Sequence, residues 1–134
     1  MYKSTTRFRV RYGETDQMGY VYHGNYAPYI EMGRTEWLRD LGLSYNQMEM
    51  DGIMLPVYAL SIRYIQPAFY DQVLEITTSI KKLPSVRIEF IYEIRNQKGE
   101  LITTAETTLV FINKKTGKPI QCPEYFLKKI KQKL

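Results

Sequence analysis

The amino-acid sequence predicts an α+β fold in which one amphipathic helix is followed by an antiparallel sheet. Apolar residues recur with the 3.6-residue period of a helix in residues 26–41, and after residue 55 they recur at every second position, as in half-buried strands. The chain has 134 residues, of which 44% are hydrophobic, and no repeat or linker-like segment divides it. We therefore expect a single domain over residues 1–134, with the sheet covering or wrapping the helix.

A short strand and a glycine-rich loop precede the helix. Arginines alternate with apolar residues at positions 7–12, which predicts a strand with one apolar face that ends at Gly13. The next segment, residues 13–24, reads GETDQMGYVYHG. Its three glycines indicate a loop that is held close to another part of the molecule.

The helix is expected to begin after Asn25 and to end before Gly42. Asparagine is a favourable N-cap residue, Pro28 fits the first turn because an N–H has no partner there, and glycine commonly terminates a helix. One further helical turn is expected at residues 44–50. The buried stripe of the main helix is predicted to contain Tyr26, Tyr29, Ile30, Gly33, Trp37, Leu38 and Leu41.

Alternating segments after residue 55 predict four strands. The breaks between them contain residues 67–72, 83–85 and 96–99, which are short enough for hairpins or tight crossings, so the strands are expected to be mostly antiparallel. A short basic helix is expected at residues 123–134. The four alternating segments are residues 58–64, 74–80, 86–94 and 105–111.

Charge and composition narrow the classes of function. Nineteen Lys and Arg against fourteen Asp and Glu give a net charge of +5, which favours acidic partners. No RNP-type aromatic motif, recognition-helix pattern or zinc-finger spacing indicates nucleic-acid binding. Cys122 is the only cysteine and His23 the only histidine, so neither an internal disulfide nor a cluster of metal ligands is expected.

The sequence also lacks several signals that would indicate other classes of protein. Residues 1–10 contain no apolar run of the kind found in signal peptides, and no stretch is long and apolar enough to span a membrane. No Walker, dinucleotide-binding or G-x-S-x-G motif is present. We therefore expect a cytoplasmic protein that uses no metal or redox cofactor.

Asp16 is the most informative residue of the loop. It is an isolated carboxylate nine residues before Asn25, among glycines and aromatic residues. One interpretation is a turn aspartate that hydrogen-bonds its own backbone. The other is a nucleophile or general base, because the free N–H groups at a helix start can polarise a carbonyl group while the carboxylate attacks it or activates water. His23 is the second catalytic candidate. It is expected to orient a substrate, tune Asp16 or transfer a proton, or else to serve as a packing or hydrogen-bonding residue.

The motif around Asp16 resembles that of the hotdog-fold acyl-CoA thioesterases of the 4-hydroxybenzoyl-CoA thioesterase type. The family pattern has an aspartate, a glycine three residues on, a valine two residues later, a histidine or aromatic residue two further on, and then Asn-Tyr before an amphipathic helix. The resemblance continues more loosely through residues 62–67, 71–76 and 116–119. In this chain the motif residues are Asp16, Gly19, Val21, His23, Asn25 and Tyr26, followed by Tyr29, Glu31, Arg34 and Trp37.

This resemblance implies a hotdog fold, in which a curved antiparallel sheet wraps a long central helix. It also implies homodimers or homotetramers whose sheets join edge to edge, with active sites at the dimer interface. Asp16 then corresponds to the catalytic carboxylate, as nucleophile or general base. The backbone N–H of His23, with that of Gly24 or Asn25 nearby, would bind the thioester oxygen, in agreement with an anion-friendly helix start.

The resemblance suggests binding residues at a second segment. Residues 81–87 resemble the part of some family members that meets the nucleotide end of coenzyme A, so Lys82, Ser85 and Arg87 are candidates for its phosphates. The alternative is an ordinary solvated turn. Glu31 and Arg34 match positions that are often charged in the family, but their i, i+3 spacing also allows them to pair with each other.

These observations favour hydrolysis of an acyl-CoA to a free acid and coenzyme A. An acyl-ACP thioesterase is the nearest alternative, because the net charge of +5 would also attract an acidic acyl carrier protein. A non-catalytic protein that binds acyl thioesters is a third hypothesis.

Overall fold

A five-stranded antiparallel sheet and one long helix dominate the fold, seen here in a computed structural model that describes residues 2–134. The strand order is β1-β4-β5-β6-β3, so β1 and β3 form the two edges. The four strands predicted after residue 55 are confirmed. The bounds are β1 Lys3–Arg9, β3 Val57–Tyr64, β4 Val73–Ile80, β5 Arg87–Arg95 and β6 Leu101–Val110, with a separate small ladder of β2 Ile53–Met54 and β7 Ile112–Asn113.

The long helix, α1, spans Tyr26–Asp40, and all seven residues of its predicted apolar stripe are buried. A 3₁₀ turn at His23–Asn25 leads into it, and Gly42 follows it with a φ of +79°. That left-handed conformation is the one glycine adopts without strain at a helix end. Two shorter helices are α2, Tyr45–Met50, and α3, Glu124–Lys131.

Helix α1 packs across β1 and β4, and one glycine allows the close approach. A Cβ atom at Gly33 would lie 2.8 Å from Thr78 Oγ1 and 2.9 Å from Ile76 Cδ1, which is too close for any side chain. Further along the helix, Trp37 meets Phe90 edge to face at 5.0 Å between ring centroids. The core therefore lies between α1 and the inner face of β1, β4 and β5.

The prediction for the first strand is wrong in its position. Strand β1 begins at Lys3 and ends at Arg9, and Tyr12, assigned from the sequence to its apolar face, lies instead in a 3₁₀ turn at Tyr12–Glu14 and is exposed. The pairing with β4 explains the shift, because all seven residues of β1 have a partner there, and beyond Arg9 only Val10 still bonds the segment before β4, at Gln72 and Asp71. Alternation in residues 7–12 could not show where that ladder stops.

Strand β3 is not covered by α1, although its sequence alternates like that of a half-buried strand. Leu60 pairs with Thr107 and Tyr64 with Thr103, so both side chains share the inner face with buried residues of β6. Leu60 is nevertheless 44% exposed and Tyr64 50%. The chain alone therefore leaves an apolar surface and an unpaired strand edge side by side. No helix within residues 2–134 is long and apolar enough to cross a membrane.

Candidate active site

A cavity of about 290 Å³ opens at the N-terminal end of α1. It lies between the loop that contains Asp16 and the C-terminal end of β3, so its walls come from two distant parts of the chain. The aromatic residues Tyr20, Tyr26 and Tyr64 form much of its surface. The full lining is Asp16, Met18, Tyr20, Val21, His23, Tyr26, Tyr64, Ile65, Gln66 and Pro67.

The two carboxylate oxygens of Asp16 have different surroundings. Oδ1 accepts hydrogen bonds from the backbone N–H groups of Met18, at 3.0 Å, and Tyr20, at 3.2 Å. These are the local bonds that the turn interpretation predicts. Oδ2 accepts no hydrogen bond from residues 2–134. One oxygen thus fixes the turn, and the other oxygen of this cavity-lining residue is left without a hydrogen bond.

His23 lines the same cavity without bonding to Asp16. Its ring packs on Tyr22, at 4.4 Å between centroids, and faces the edge of Tyr64 at 6.5 Å. The Tyr64 hydroxyl donates to the His23 carbonyl oxygen at 3.3 Å. The imidazole makes no hydrogen bond or ion pair with the residues described, so both of its nitrogens are available to a bound molecule.

Free backbone donors are present where the helix begins. Within residues 2–134, the N–H groups of His23 and Gly24 donate to no acceptor, whereas that of Asn25 donates to the Tyr22 carbonyl at 2.9 Å. The first two groups are therefore the candidate donors to an oxyanion, and the backbone of Asn25 is not. Asn25 is the N-cap by position, but its side chain makes no capping bond.

Glu14 is the residue at this site that the sequence analysis missed. Its Oε1 accepts from the Arg11 backbone N–H at 2.8 Å and from the Tyr29 hydroxyl at 2.9 Å, and Oε2 accepts from the Arg11 guanidinium at 3.2 Å. Its carbonyl oxygen accepts from Tyr22 N at 2.8 Å and from Asn25 Nδ2 at 2.7 Å. The signal was the spacing of Arg11 and Glu14, since an acid three residues after a helical turn begins commonly bonds the first free N–H.

Titration of Glu14 and Tyr29 reflects this arrangement. Burial disfavours the charged form of Glu14, but the hydrogen bonds from Arg11 and Tyr29 outweigh burial and lower the pKa of the carboxyl group. Burial and the hydrogen bond to the Glu14 carboxylate both raise the pKa of Tyr29 above its usual range. At neutral pH, Glu14 is therefore an anionic acceptor and Tyr29 a neutral donor.

The residues proposed for the nucleotide end lie far from Asp16 within one chain. Tyr64, at the cavity, pairs with Thr103, whereas Arg87 pairs with Val110 of the same strand β6. Those seven residues of strand correspond to roughly 23 Å. Ser85 shares that remote end, where its carbonyl accepts from Cys122 N at 2.7 Å.

The side chains at this remote end are exposed and only loosely held. Lys82 lies 3.8 Å from Glu89 and is 73% exposed, and the Arg87 guanidinium lies 4.8 Å above the Tyr58 ring. Exposed ion pairs of this kind contribute little and can exchange for another anion. Within a single chain, Lys82 and Arg87 therefore do not lie close to Asp16.

Arg34 is part of the core and does not line the cavity. It is 6% exposed, its Nε donates to the Tyr45 hydroxyl at 2.7 Å, and its Nη1 donates to the Tyr92 hydroxyl at 3.2 Å. The ion pair with Glu31 that the spacing allowed is not formed. Helix α1 turns Arg34 toward the sheet because it is one residue after Gly33, where the helix lies closest to β4.

Other reactive groups are not assembled near Asp16. Within residues 2–134, no three His, Cys, Asp or Glu side chains converge as ligands of a metal ion. Burial raises the pKa of Cys122 to about 12, which keeps this thiol protonated at neutral pH.

Comparison with known proteins decides the family. Residues 10–130 match the thioesterase-like superfamily. This chain belongs to that family. The resemblance seen in the sequence and the hotdog architecture are thereby confirmed.

Individual relatives of this thioesterase-like chain match it over nearly its whole length. It is 38% identical to "Putative acyl-CoA thioesterase YneP" of Bacillus subtilis, over 94% of this chain and 91% of that protein. It is 32% identical to the acyl-CoA thioester hydrolase YbgC of Escherichia coli, over 96% and 99% of the two chains. Among solved structures, a DHNA-CoA thioesterase from Staphylococcus aureus superposes with a TM-score of 0.90 at 41% identity, covering 98% of this chain and 88% of that one.

Proposed function

We propose that this protein hydrolyses an acyl-CoA thioester to a free acid and coenzyme A, with Asp16 as its catalytic carboxylate. The observation that carries the proposal is the asymmetry of Asp16, whose Oδ1 is held by the loop while Oδ2 is unbonded at the cavity. Membership of the thioesterase-like superfamily and relatives named acyl-CoA thioesterases support this substrate class. A protein that only binds thioesters would not need a free carboxylate oxygen there.

The geometry supports a simple reaction. The thioester carbonyl oxygen would lie against the N–H groups of His23 and Gly24, which favour the negative charge that develops on it. Asp16 Oδ2 then either attacks the carbonyl carbon, forming an anhydride that water hydrolyses, or takes a proton from the water that attacks. In both cases the C–S bond breaks, the sulfur leaves as coenzyme A thiolate and takes up a proton, and the acid is released. The His23 ring, which lines the same cavity, would orient the thioester.

We further propose that the working unit is a homodimer built on β3, alone or within a tetramer. Strand β3 has an unpaired edge, and its exposed residues Leu60 and Tyr64 form an apolar surface that reaches the cavity. Pairing two copies of β3 about a two-fold axis would place one end of the strand beside the opposite end of its copy. The roughly 23 Å of strand that separates Tyr64, at the cavity, from Arg87 within one chain would then be bridged, because the partner's Arg87 would lie near this cavity.

Replacing Asp16 by Asn tests the catalytic assignment. The amide oxygen of Asn can keep the two bonds from Met18 and Tyr20, so Asp16→Asn should fold while losing the charge and basicity of Oδ2. We expect kcat to fall by at least about 10² with substrate binding retained. The measurement is hydrolysis of a panel of acyl-CoA thioesters, with acyl-ACP thioesters alongside to distinguish the two thiol carriers.

Asp51→Asn is the matched control, because Asp51 caps α2 outside the cavity. It should keep the activity of the parent protein. A folded Asp16→Asn variant with activity within a few-fold of the parent would show that Asp16 is a turn residue and not the catalytic carboxylate.

Replacing Lys82 and Arg87 by Ala tests the nucleotide end. Contacts with phosphates far from the thioester bind the ground state and the transition state alike, so the double variant should raise KM for a CoA thioester more than it lowers kcat. Added salt should have the same effect. If neither the substitutions nor salt changes KM, coenzyme A is held by other residues.

Mixing two variants tests whether the site is shared between subunits. In a mixed dimer of Asp16→Asn and Lys82→Ala/Arg87→Ala chains, one site lacks both the Asp16 carboxylate and the two basic side chains. The other site has an intact Asp16 beside an intact Arg87 of the partner subunit. At substrate concentrations far below KM, exchanged mixtures should exceed the activity of either variant alone. A monomer by light scattering, or no gain on mixing, would contradict the shared site.

A further inference from the structure

The candidate active site consists of two segments of chain that follow each other directly, and Glu14, at the start of the first, bonds residues of the second. One segment carries Asp16 and closes on itself as a small hairpin, with Thr15 bridged to Val21 and the Asp16 N–H donating to the Tyr20 carbonyl at 2.8 Å. The other segment is the start of α1, which carries the free N–H groups of His23 and Gly24. A hairpin that is closed internally moves as a unit. One side of it is held by the Val21 N–H, which donates to the Ala68 carbonyl at 2.8 Å, and by a bridge from Tyr20 to Phe69. Its attachment to the helix sets where Asp16 stands relative to the free N–H groups.

Glu14 makes that attachment with both its backbone and its side chain. Its carbonyl oxygen receives Asn25 Nδ2 at 2.7 Å, and its carboxylate receives the Tyr29 hydroxyl at 2.9 Å. Asn25 and Tyr29 are four residues apart, so they lie on one side of the helix start. The Asn25 side chain makes this contact and no capping bond. Two hydrogen bonds from the helix start therefore converge on one residue that does not line the cavity.

We propose that Glu14 is a positioning residue for catalysis, which holds the Asp16 hairpin against the first turn of α1 through Tyr29 and Asn25. The inference rests on the proposed function, since it concerns the distance between Asp16 and the N–H groups that would bind the thioester oxygen. Glu14 acts through this distance and does not touch the substrate.

The surroundings of the Glu14 carboxylate make it a rigid anchor. Three donors fix its two oxygens, two of them from Arg11 and the third from Tyr29. Tyr29 is 4% exposed and its ring packs on Phe8 at 4.5 Å between centroids, so its hydroxyl cannot follow a moving partner. Loss of the carboxylate would leave that buried hydroxyl without an acceptor, and would leave the Glu14 carbonyl alone to hold the hairpin to the helix start.

Small displacements at this point affect turnover more than binding. A catalytic group misplaced by about 1 Å can cost roughly 10²-fold in rate, while contacts along the rest of a coenzyme A thioester are unchanged. The signature of a positioning role is therefore a fall in kcat at constant KM, in a protein that remains folded.

The experiment compares Glu14→Ala, Glu14→Gln and Tyr29→Phe with the parent protein. Glutamine keeps an oxygen that can accept from Arg11 and Tyr29, so Glu14→Gln should retain kcat within about three-fold, whereas the other two should lose about 10- to 100-fold in kcat with KM little changed. The kcat of the double variant Glu14→Ala/Tyr29→Phe should be no lower than that of the less active single variant, because both changes remove the same contact.

Tyr92→Phe is the matched control for the loss of a buried tyrosine hydroxyl. Tyr92 bonds Arg34 and Thr107 in the core, away from the cavity, so this variant should lower thermal stability without lowering kcat. All assays are made well below the lowest unfolding temperature of the set. If Glu14→Ala and Tyr29→Phe lower thermal stability without lowering kcat, as Tyr92→Phe does, the positioning role is overturned. In that case an inactive Asp16→Asn variant would show that the proposed function still holds. If Asp16→Asn is active, the proposed function itself fails.

Discussion

Two clusters that join a tyrosine hydroxyl to a charged group occupy different positions along helix α1. The Glu14 cluster, formed by Glu14, Tyr29 and Asn25, joins the helix start to the loop that carries Asp16. The Arg34 cluster is formed by Arg34, Tyr45, Tyr92 and Thr107 and joins the middle of the helix to α2, β5 and β6.

The difference between the clusters lies in what they hold in place. The Arg34 cluster contains a cation that is 94% buried and has only hydroxyl partners, so it satisfies polar groups inside the core and fixes α2 and the sheet against the helix. The Glu14 cluster lies at the edge of the core and fixes one exposed hairpin. Similar chemistry therefore serves stability in one place and geometry of the candidate active site in the other.

The largest expected effect comes from removing both hydroxyl partners of Arg34. In Tyr45→Phe/Tyr92→Phe the guanidinium stays buried without its two acceptors, which should lower the free energy of unfolding by about 3–5 kcal/mol. Urea denaturation measures this loss. Turnover per folded molecule should stay near that of the parent, since neither residue lines the cavity. A selective loss of kcat at unchanged stability would remove the distinction between the clusters.

A smaller effect is expected from the titration of Glu14. Its folded-state pKa is lowered, so its stabilising contribution is present above the ordinary pKa of a glutamate, about 4.3, and disappears as the pH falls through the lower folded value. The free energy of unfolding should therefore decrease in acid, and less steeply in Glu14→Gln. Tyr45→Phe should leave the steepness unchanged. Equal acid slopes in the parent protein and Glu14→Gln would show that the carboxylate is not stabilised by its partners.

The smallest effect concerns Cys122, which can report on the core. With a pKa of about 12, only roughly 10⁻⁴ to 10⁻⁵ of this thiol is ionised at pH 7.5, so alkylation in the folded protein should be very slow. The Tyr45→Phe/Tyr92→Phe variant should be labelled faster, because it opens more often, while Asp16→Asn should match the parent. Mass spectrometry follows the rate. Rapid labelling of the folded parent protein would contradict the raised pKa.

The candidate site was predictable where the signal is local. Asp16, His23 and Gly24 became candidates from a motif of eleven residues. Asp16 and His23 both line the cavity because they are neighbours along one loop, and Gly24 directly follows His23. Tyr64 and Ile65 also line the cavity, and the family resemblance reached their segment, residues 62–67, without assigning them a role. They lie at the cavity because the chain crosses from one sheet edge to the other. Arg34 could not be separated from an ordinary helix-surface charge, because its spacing from Glu31 fits a surface pair equally well.

The sequence by itself determined the order and type of the main elements. Helix α1 and the four strands after residue 55 follow from hydrophobic periodicity, which depends only on which residues share a face. Tertiary structure alone decided where β1 ends, that the apolar face of β3 is left uncovered, and that one oxygen of Asp16 remains free while Glu14 anchors its hairpin. The physical reason is that these features depend on strand pairing and on hydrogen bonds between segments, which periodicity along a single segment does not contain.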